Sequence, residues 1–492
     1  MAPGRTLEDT TIPTSGQVPS EVDLPVLVCD LDSTLVRTDT LYESFWAAVT
    51  AHWTAPFGAI AALTRGRAAL KAHLAGKTVL KVASLPYNQA VLDELRAWRA
   101  KGGRTALVSA ADQSIVDAVA AHIDLFDEAH GSDGKQNLKG RDKARFLNDR
   151  YGARQYIYFG DSRSDLAVWS EAAEGVGVNL KPALRAKADA QAKMRHIGQS
   201  APVIKPMIRA LRPHQWAKNV LVLLPMIAGH ALTTGALVQS IWAFVAFSLV
   251  ASSVYVLNDL LDLAADRAHP RKRDRPFASG DLPLVHGTWM APALLFTGVA
   301  ISVALGPAFL GVMALYYLTT TLYSLWLKRR PVIDICTLAA LYALRVMAGS
   351  AATGIELSVW LLAFSTFFFF ALAAVKRQAE LVDAAASGRE LSGRGYQLND
   401  LPLITMMALA SGNVSVMVMA LYVNSPEVTE LYSRPEMLWG ICAVLLYWLS
   451  RMVFITHRGR MHDDPVVFAA KDRLSHVMFI VILVFFAGGS LF

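Results

Sequence analysis

Residues 258–266 read Asn258-Asp259-Leu260-Leu261-Asp262-Leu263-Ala264-Ala265-Asp266, directly after the apolar run from Ile241 to Leu257. The three carboxylates and the amide recur at spacings of three and four, so on a helix they share one face. At the end of a membrane helix such a cluster is costly unless it is hydrated or binds cations. Because the ligand atoms are all oxygens, the pattern favours Mg²⁺, which is usually held by a few carboxylates together with substrate phosphates. The alternative is an acidic helix end beside a basic loop.

The loop that follows is basic and ends in Arg275-Pro-Phe-Ala-Ser-Gly280. Together with Asn-Asp-x-x-Asp-x-x-x-Asp, it resembles the first signature of the UbiA-type membrane prenyltransferase superfamily. The resemblance implies an all-α membrane domain of nine helices, with Asp259 and Asp262 catalytic and Arg275 at the substrate. It also implies a Mg²⁺-diphosphate site on Asn258, Asp259, Asp262 and Asp266.

The 492-residue chain is 54% hydrophobic and only 18% charged, which indicates several membrane spans. Up to about residue 200 the chain reads as globular, and from about 220 apolar runs near 20 residues dominate. The net charge of +7 arises in loops between apolar runs, so membrane orientation explains it better than nucleic acid binding. Cys29, Cys336 and Cys442 are few, odd in number and far apart, which argues against disulfides or zinc.

These shifts in composition divide the chain into four parts. Residues 1–22 are polar and lack an apolar signal core, so we expect a disordered tail and no cleaved signal peptide. A globular domain is expected at 23–195 and the membrane domain at 212–492. Between them, residues 196–211 read as an amphipathic approach to the bilayer.

The globular half alternates strand-like and helical stretches. VLVCDLDSTL begins at Val26, and further strand-like runs cover 105–110, 156–162 and 175–179, with helical stretches such as 87–101 and 112–122 between them. This alternation predicts a parallel sheet covered on both faces, with ligands beyond the carboxyl ends of the strands. Asp30, Asp32, Ser109 and Asp161 occur at those ends, which predicts a site there.

Four motifs in order, Asp30-x-Asp32-x-Thr34, Ser109, Lys143 and Gly160-Asp161-Ser162-x-x-Asp165, resemble the haloacid dehalogenase (HAD) phosphatase superfamily. The resemblance implies a Rossmann-like α/β fold with Asp30 as nucleophile towards phosphorus and Asp32 as general acid and base. It implies that Asp30, the Asp32 carbonyl and Asp161 bind Mg²⁺, supported by Asp165, and that Ser109 and Lys143 hold phosphoryl oxygens. Lys139 is a rival for the lysine role. Lys143 is preferred because Gly140-Arg-Asp-Lys143 opens a helix, as in the family motif.

A helical, aromatic-rich insertion at about 41–86 has the position of a cap after the first strand. It contains Trp46, Trp53 and Phe57. A cap closing over the site would restrict the substrate. Its apolar face could equally contact the membrane or the second domain.

The membrane half opens with LRPHQWAKN, which contains Arg212 and Lys218. It resembles the UbiA branch that transfers phosphoribose to polyprenyl phosphate, and the resemblance implies that both cations contact substrate. The alternative is that these basic and aromatic residues anchor the segment at a membrane interface, which would give the same sequence pattern.

Nine apolar runs follow, near 219–233, 238–257, 289–305, 308–327, 334–352, 358–375, 401–423, 436–450 and 474–492. With a cytoplasmic amino terminus, the inner loops hold seventeen Lys and Arg and the outer loops only Arg434. The positive-inside rule therefore predicts an inner membrane protein with the Asp259 cluster and the phosphatase domain on the cytoplasmic side.

Two further segments resemble the same phosphoribosyltransferase branch. One has Tyr323 and Lys328 with Asp334 and then Arg345, which we place about one turn into its span and expect to need substrate phosphate or Asp334 as partner. The other has Lys376 and Arg377 where quinone-making UbiA enzymes carry a second Asp-rich cluster. The resemblance implies that these cations bind substrate. Without it, residues 328–330 would read as ordinary inner-loop charge.

The favoured function is a Mg²⁺-dependent membrane enzyme that transfers 5-phosphoribose from phosphoribosyl diphosphate to a polyprenyl phosphate, with a HAD domain that removes the 5-phosphate. One alternative is a UbiA-type enzyme that moves an isoprenyl diphosphate onto an aromatic or lipid acceptor. Another is a transporter or lipid-binding protein with a regulatory phosphatase domain. The sequence does not indicate an oligomeric state.

Overall fold

The computed structural model describes residues 24–77, 80–132, 138–388, 395–426, 428, 432–461 and 464–491. The tail expected at 1–22 lies outside these residues. The chain divides into two compact units, Met1–Ala201 and Pro202–Phe492. Each is described by itself.

The first unit is built on a six-stranded parallel sheet in the order β3-β2-β1-β4-β5-β6, with buried apolar clusters on both faces. Four strands agree with the sequence prediction. The outer strands β3 and β6 were not predicted, and β6 runs two residues past the boundary expected at 195. The elements are β1 Val26–Cys29, α1 Thr40–Ala51, α2 Ala55–Leu63, α3 Arg67–Lys77, α4 Gln89–Ala100, β2 Thr105–Asp112, α5 Gln113–Ile123, β3 Glu128–Ser132, α6 Arg141–Tyr151, β4 Tyr156–Gly160, α7 Leu166–Trp169, β5 Glu174–Val178, α8 Pro182–Gln191 and β6 Met194–Ile197.

Helices α1, α2 and α3 form the cap between β1 and α4. Trp46 is buried, whereas Trp53 and Phe57 are 80% and 67% exposed. Ile60 continues the exposed stripe one turn further along α2. The apolar face expected from the sequence is thus exposed.

The second unit is helical. Its eight longest helices have the length and composition of membrane spans, which is consistent with a multi-pass membrane protein. The elements are α9 Ile204–Leu211, a 3₁₀ segment Pro213–Leu223, α10 Leu224–Ala228, α11 Thr234–Leu261, α12 Leu263–Ala268, α13 Leu284–Leu305, α14 Pro307–Leu325, α15 Ile333–Thr353, α16 Val359–Ser387, α17 Leu401–Val423, α18 Trp439–His457, α19 Pro465–Ala469 and α20 Arg473–Leu491.

The first of the nine predicted runs, 219–233, differs from the others. It is not one long helix but the end of the 3₁₀ segment followed by the short α10. Arg212 precedes the 3₁₀ segment and has the left-handed conformation (φ 54°), and Pro225 lies in α10. Together the 3₁₀ segment and α10 contain sixteen residues, 213–228. At about 2.0 Å per residue in the 3₁₀ part and 1.5 Å in the α part, these residues extend about 30 Å. The segment is therefore long enough to cross a bilayer, and the alternation of inner and outer loops stays a prediction.

Close packing holds this broken segment against α15. A Cβ added to Gly349 of α15 would lie 2.0 Å from the carbonyl oxygen of Val222. Only glycine allows this approach. It brings Lys218 and Asn219 into the interior of the helical unit, where both are buried.

Candidate active sites

In the first unit, the turn after β1 carries the first two acidic residues. Asp30 caps this turn through its Oδ1, which accepts a hydrogen bond from the Leu31 amide at 2.8 Å. The backbone then turns sharply, with Ser33 in the left-handed region (φ 58°). The same Oδ1 of Asp30 lies 3.0 Å from Nζ of Lys143, whose side chain is buried.

A second acidic pair follows β4. Among the described residues, Asp30, Asp161 and Asp165 are the one acidic group whose ligand atoms all lie within 4.8 Å of one another. Burial, and then repulsion from Asp165 and Asp30, raises the pKa of Asp161 well above its usual range. Three carboxylates that repel one another in a buried site are a donor set that suits Mg²⁺.

Asp165 is held in place by its neighbours. Its Oδ2 accepts hydrogen bonds from the Ser162 amide at 2.9 Å and from the Ser162 hydroxyl at 2.8 Å. Its Oδ1 accepts one from the Tyr158 hydroxyl, which in turn accepts from Lys143. Tyr158 therefore links the lysine to the acidic cluster, a contact that the sequence motifs did not indicate.

Asp32 lies apart from this cluster and contacts the cap. Its Oδ1 accepts a hydrogen bond at 2.7 Å from the backbone amide of Thr40, the first residue of α1. Burial and the charge of Asp39 raise the pKa of Asp32 to about 7. A carboxyl group that titrates near neutral pH can both donate and accept a proton in one catalytic cycle.

The remaining HAD positions differ in exposure. Ser109 lies in β2 and Lys143 in the first turn of α6, and both are buried. Lys139 is exposed. The sequence did not single out Lys71 of the cap, which donates a hydrogen bond to the carbonyl of Ala110 at 2.6 Å. Burial lowers its pKa, while Asp32 and Asp39 act in the opposite direction. A cationic cap residue thus lies within the field of the acidic site.

We expect Lys143→Met to lower phosphatase turnover by about 100-fold, because it removes the cation that contacts Asp30 and would meet the phosphoryl group. Lys139→Met is the matched control and should stay within about twofold of wild type, since Lys139 is exposed. Release of inorganic phosphate from p-nitrophenyl phosphate by the two purified variants measures both. The reverse ranking would move the lysine role to Lys139.

In the second unit, the end of α11 brings together only part of the predicted Asp259 cluster. Arg275 Nη1 contacts Asp259 at 3.0 Å and Asp266 at 2.6 Å, so one guanidinium bridges the two buried carboxylates. Arg212 also pairs with Asp259. Asn258 donates a hydrogen bond to Ser324 at 3.1 Å. Asp262, at the junction of α11 and α12, is exposed and is not gathered with the other two.

Two of the other predicted residues converge on Asp334, at the start of α15. Arg377 of α16 pairs with Asp334 and with Glu380, and it donates a hydrogen bond to Tyr323 at 3.0 Å. Tyr323 in turn donates to Asp334 at 2.8 Å. Asp334 and Arg377 are fully buried. Lys328 lies in the turn after α14 and is half-buried.

A third group of charges forms around Asp464, whose role the sequence left open. Its Oδ2 lies 2.7 Å from Nζ of Lys218 and 3.0 Å from Nζ of Lys376. Its Oδ1 accepts hydrogen bonds from the Tyr342 hydroxyl at 3.2 Å and from the amide of Val466, the second residue of α19. Asp463, the other acid of that motif, lies outside the described residues.

The depth expected for Arg345 was wrong. The residue lies twelve positions after Ile333, about three turns into α15 rather than one. Its partners are the Asn219 side chain at 3.0 Å, the Tyr316 hydroxyl at 3.5 Å and the Leu341 carbonyl. Asp334 is not among them, because it lies in the first turn of the same helix and pairs with Arg377.

The family of the second unit follows from comparison with known proteins. The model of the UbiA prenyltransferase family matches residues 222–483, more than half of the chain. The chain belongs to the UbiA prenyltransferase family. The model of haloacid dehalogenase-like hydrolases matches residues 27–169, so this UbiA protein also carries a HAD-like hydrolase domain. Both resemblances drawn from the motifs are confirmed.

Relatives of this UbiA protein include one that shares both halves. An uncharacterized protein of Sinorhizobium fredii is 38% identical over 91% of this chain and 88% of its own. Nodulation protein NoeC of Azorhizobium caulinodans is 37% identical over 54% of this chain and 88% of its own. The decaprenyl-phosphate phosphoribosyltransferase of Mycolicibacterium smegmatis is 31% identical over 56% of this chain and 90% of its own.

Proposed function

We propose that the UbiA domain transfers 5-phosphoribose from phosphoribosyl diphosphate to a polyprenyl phosphate, and that the HAD domain removes the 5-phosphate from the product. The observation that carries the proposal is the pair of cations Lys376 and Arg377 on α16, both held in ion pairs. Cations suit a reaction between two phosphate-bearing substrates better than one with a phenolic acceptor. The name of the Mycolicibacterium smegmatis relative, which this chain matches over 90% of that protein, supports the same donor and acceptor.

In the transferase, Asp259 and Asp266 present their oxygens to one cation, a position that the Arg275 guanidinium takes in this structure. We infer that Asn258, Asp259 and Asp266 would hold Mg²⁺ there, with Asp262 at the exposed rim, and that the bound ion would supply positive charge to the diphosphate. Arg275 and Arg212, released from the carboxylates, would then contact the diphosphate oxygens. The bond from the sugar C1 to the diphosphate breaks, and a phosphate oxygen of the lipid forms the new bond to C1.

In the HAD domain, the Asp30 carboxylate attacks phosphorus and the bond from phosphorus to the sugar oxygen breaks. Asp32, whose pKa of about 7 leaves much of it protonated at neutral pH, gives its proton to that oxygen. Asp32 then takes a proton from the water that hydrolyses the aspartyl-phosphate. Lys143 and Ser109 hold the phosphoryl oxygens. Mg²⁺ on Asp30, the Asp32 carbonyl and Asp161 would offset the charge between nucleophile and phosphate, with Asp165 supporting this shell.

We infer that the protein lies in a bacterial inner membrane with both sites on the cytoplasmic side. The partners are then the lipid bilayer, the lipid phosphate and the soluble donor, and not nucleic acid. The basic inner loops support this orientation. Because both domains are on one chain, the product of the first reaction would be at high effective concentration for the second.

The donor identifies the reaction. The full-length protein in detergent with polyprenyl phosphate and Mg²⁺ is given either phosphoribosyl diphosphate labelled in the ribose or a labelled isoprenyl diphosphate. We expect label from phosphoribosyl diphosphate alone to enter the lipid extract. Incorporation of isoprenyl label onto an aromatic or lipid acceptor would establish the conventional prenyltransferase instead. Label from neither donor in lipid would favour a transporter or lipid-binding role.

A further inference from the structure

Two buried cations and one half-buried cation lie together in the second unit, around one carboxylate. Lys218 and Lys376 both contact Oδ2 of Asp464, at 2.7 and 3.0 Å. The ring of Tyr342 joins this pair to Arg345, because its centroid lies 5.7 Å from the Lys218 ammonium and 5.4 Å from the Arg345 guanidinium. Lys218, Arg345, Lys376 and Asp464 are called the Asp464 cluster below.

Arg345 is surrounded by neutral groups. Its guanidinium lies 5.1 Å from the ring centroid of Phe247 and 5.3 Å from that of Tyr316, and its hydrogen bonds go to an amide, a hydroxyl and a backbone carbonyl. The residue is 5% exposed. Within the described part of the chain, no acidic side chain forms an ion pair with it.

The cluster therefore holds an excess of positive charge. Three cations face one carboxylate, since Asp464 is the one acid among the described residues that contacts Lys218 or Lys376. Buried charge without a counter-ion is costly, and evolution retains it where a ligand supplies the opposite charge. A phosphate monoester carries about two negative charges near neutral pH, so it would neutralise more of these three cations than the single Asp464 carboxylate does.

We propose that the Asp464 cluster binds the phosphate of a lipid-linked monophosphate, and that Asp464 occupies the anion position until this phosphate displaces it. The identification of that lipid as the acceptor rests on the proposed function. The diphosphate donor then has its own cations, Arg212 and Arg275, at the Asp259 end of α11. The basic residues thus divide into two phosphate sites with different partners.

The depth of the cluster favours a lipid over a soluble phosphate. Arg345 lies about 18 Å along α15 from Ile333, more than half of a hydrocarbon core of about 30 Å. Aromatic and aliphatic side chains surround Tyr342, whose ring stacks on Phe369 at 5.0 Å. An isoprenoid chain attached to the phosphate would find apolar partners beside the cations, whereas a free ion would not.

The test uses the full chain in detergent and measures binding of radiolabelled farnesyl phosphate by equilibrium dialysis. We expect Asp464→Asn to bind it about 10-fold more tightly, because an amide of the same shape no longer competes with the phosphate. Lys376→Met should bind it about 10-fold more weakly. The matched control Arg460→Met removes an exposed cation and should bind as wild type.

Farnesol, inorganic phosphate and phosphoribosyl diphosphate serve as competitors. The proposal predicts weak competition by all three, since each lacks either the phosphate or the isoprenoid chain. Strong competition by inorganic phosphate or by the donor would assign the cluster to a soluble anion and overturn the proposal. So would an Asp464→Asn protein that binds farnesyl phosphate no more tightly than wild type. If the Asp464 ion pairs have only a structural role, Asp464→Asn will not bind farnesyl phosphate more tightly. This variant therefore tests the proposal even if Lys376→Met does not fold.

These outcomes are separable from the proposed function. If no ribose is transferred and farnesyl phosphate still binds with the expected variant pattern, the lipid phosphate site stands and the phosphoribosyl donor is wrong. If ribose is transferred but the variants bind as wild type, the acceptor lies elsewhere.

Discussion

Asp30→Asn is expected to lower phosphate release by at least about 1,000-fold, because the amide removes the nucleophile while keeping the shape of the side chain. In the same protein the transferase should remain active, since its proposed residues all lie in the other unit. Given phosphoribosyl diphosphate and polyprenyl phosphate, wild type should form mainly the ribosyl lipid. Asp30→Asn should accumulate the 5-phosphorylated lipid, and mass spectrometry of the lipid extract distinguishes the two by one phosphate group.

The control is Asp142→Asn, which alters an exposed carboxylate in the first turn of α6 next to Lys143. It should give the wild-type lipid profile and phosphatase rate. Identical lipid profiles from wild type and Asp30→Asn would refute the coupling of the two reactions, even with both domains active. A wild-type rate of phosphate release from Asp30→Asn would refute the aspartyl-phosphate mechanism.

Asp259→Ala is expected to lower lipid product by at least about 100-fold and to leave phosphatase activity intact. The change removes a proposed Mg²⁺ ligand and leaves Arg212 and Arg275 without their shared carboxylate. Asp259→Asn keeps the shape and should show a similar loss. Transfer of ribose label to lipid and release of phosphate, assayed on the same preparation, measure both activities.

Asp274→Ala is the matched control, because Asp274 is an exposed acid in the same basic loop. It should transfer ribose at the wild-type rate. Retention of transfer in both Asp259 variants would remove this residue from the site. Loss of phosphatase activity along with transfer, in protein that still elutes as wild type, would mean that the two sites are not independent.

The sheet of the HAD domain shows where sequence patterns succeed. The inner strands β1, β2, β4 and β5 are rich in apolar residues or glycine and mostly buried, as strands covered on both faces are, and all four were predicted. The outer strands β3, with sequence EAHGS, and β6, with sequence MRHI, are more polar and less buried. An outer strand buries less surface, so its composition carries little signal.

The membrane unit shows what hydropathy can predict and what it cannot. Hydropathy located the eight long helices because each must cover about 30 Å of hydrocarbon with apolar residues. It also marked 219–233 as a ninth run, but hydropathy does not distinguish an α-helix from a 3₁₀ segment. The 3₁₀ segment around Lys218 begins at Pro213, is followed by Pro225 in α10 and packs closely against Gly349, and hydropathy records none of these features.

What the sequence by itself determined is the family of each half. Asp30, Asp32 and Asp161 could be predicted to share a site because each closely follows the end of a buried strand, and parallel strands end at the same edge of a sheet, whereas Asp165 was added by the family resemblance. The Asp259 cluster could be recognised because its members recur three and four residues apart in the sequence. The structure divides them between the end of α11 and α12 and leaves Asp262 exposed.

Only the tertiary structure decided which charges meet. Arg275 bridges Asp259 and Asp266, Arg377 joins Asp334, and Asp464 meets Lys218 and Lys376 from helices far apart in the sequence. Asp334, one of the two partners expected for Arg345, does not pair with it, because Asn219 and Tyr316 from elements that pack against α15 contact Arg345 instead. Pairing between distant helices depends on packing and rotation, which no periodicity within one segment records.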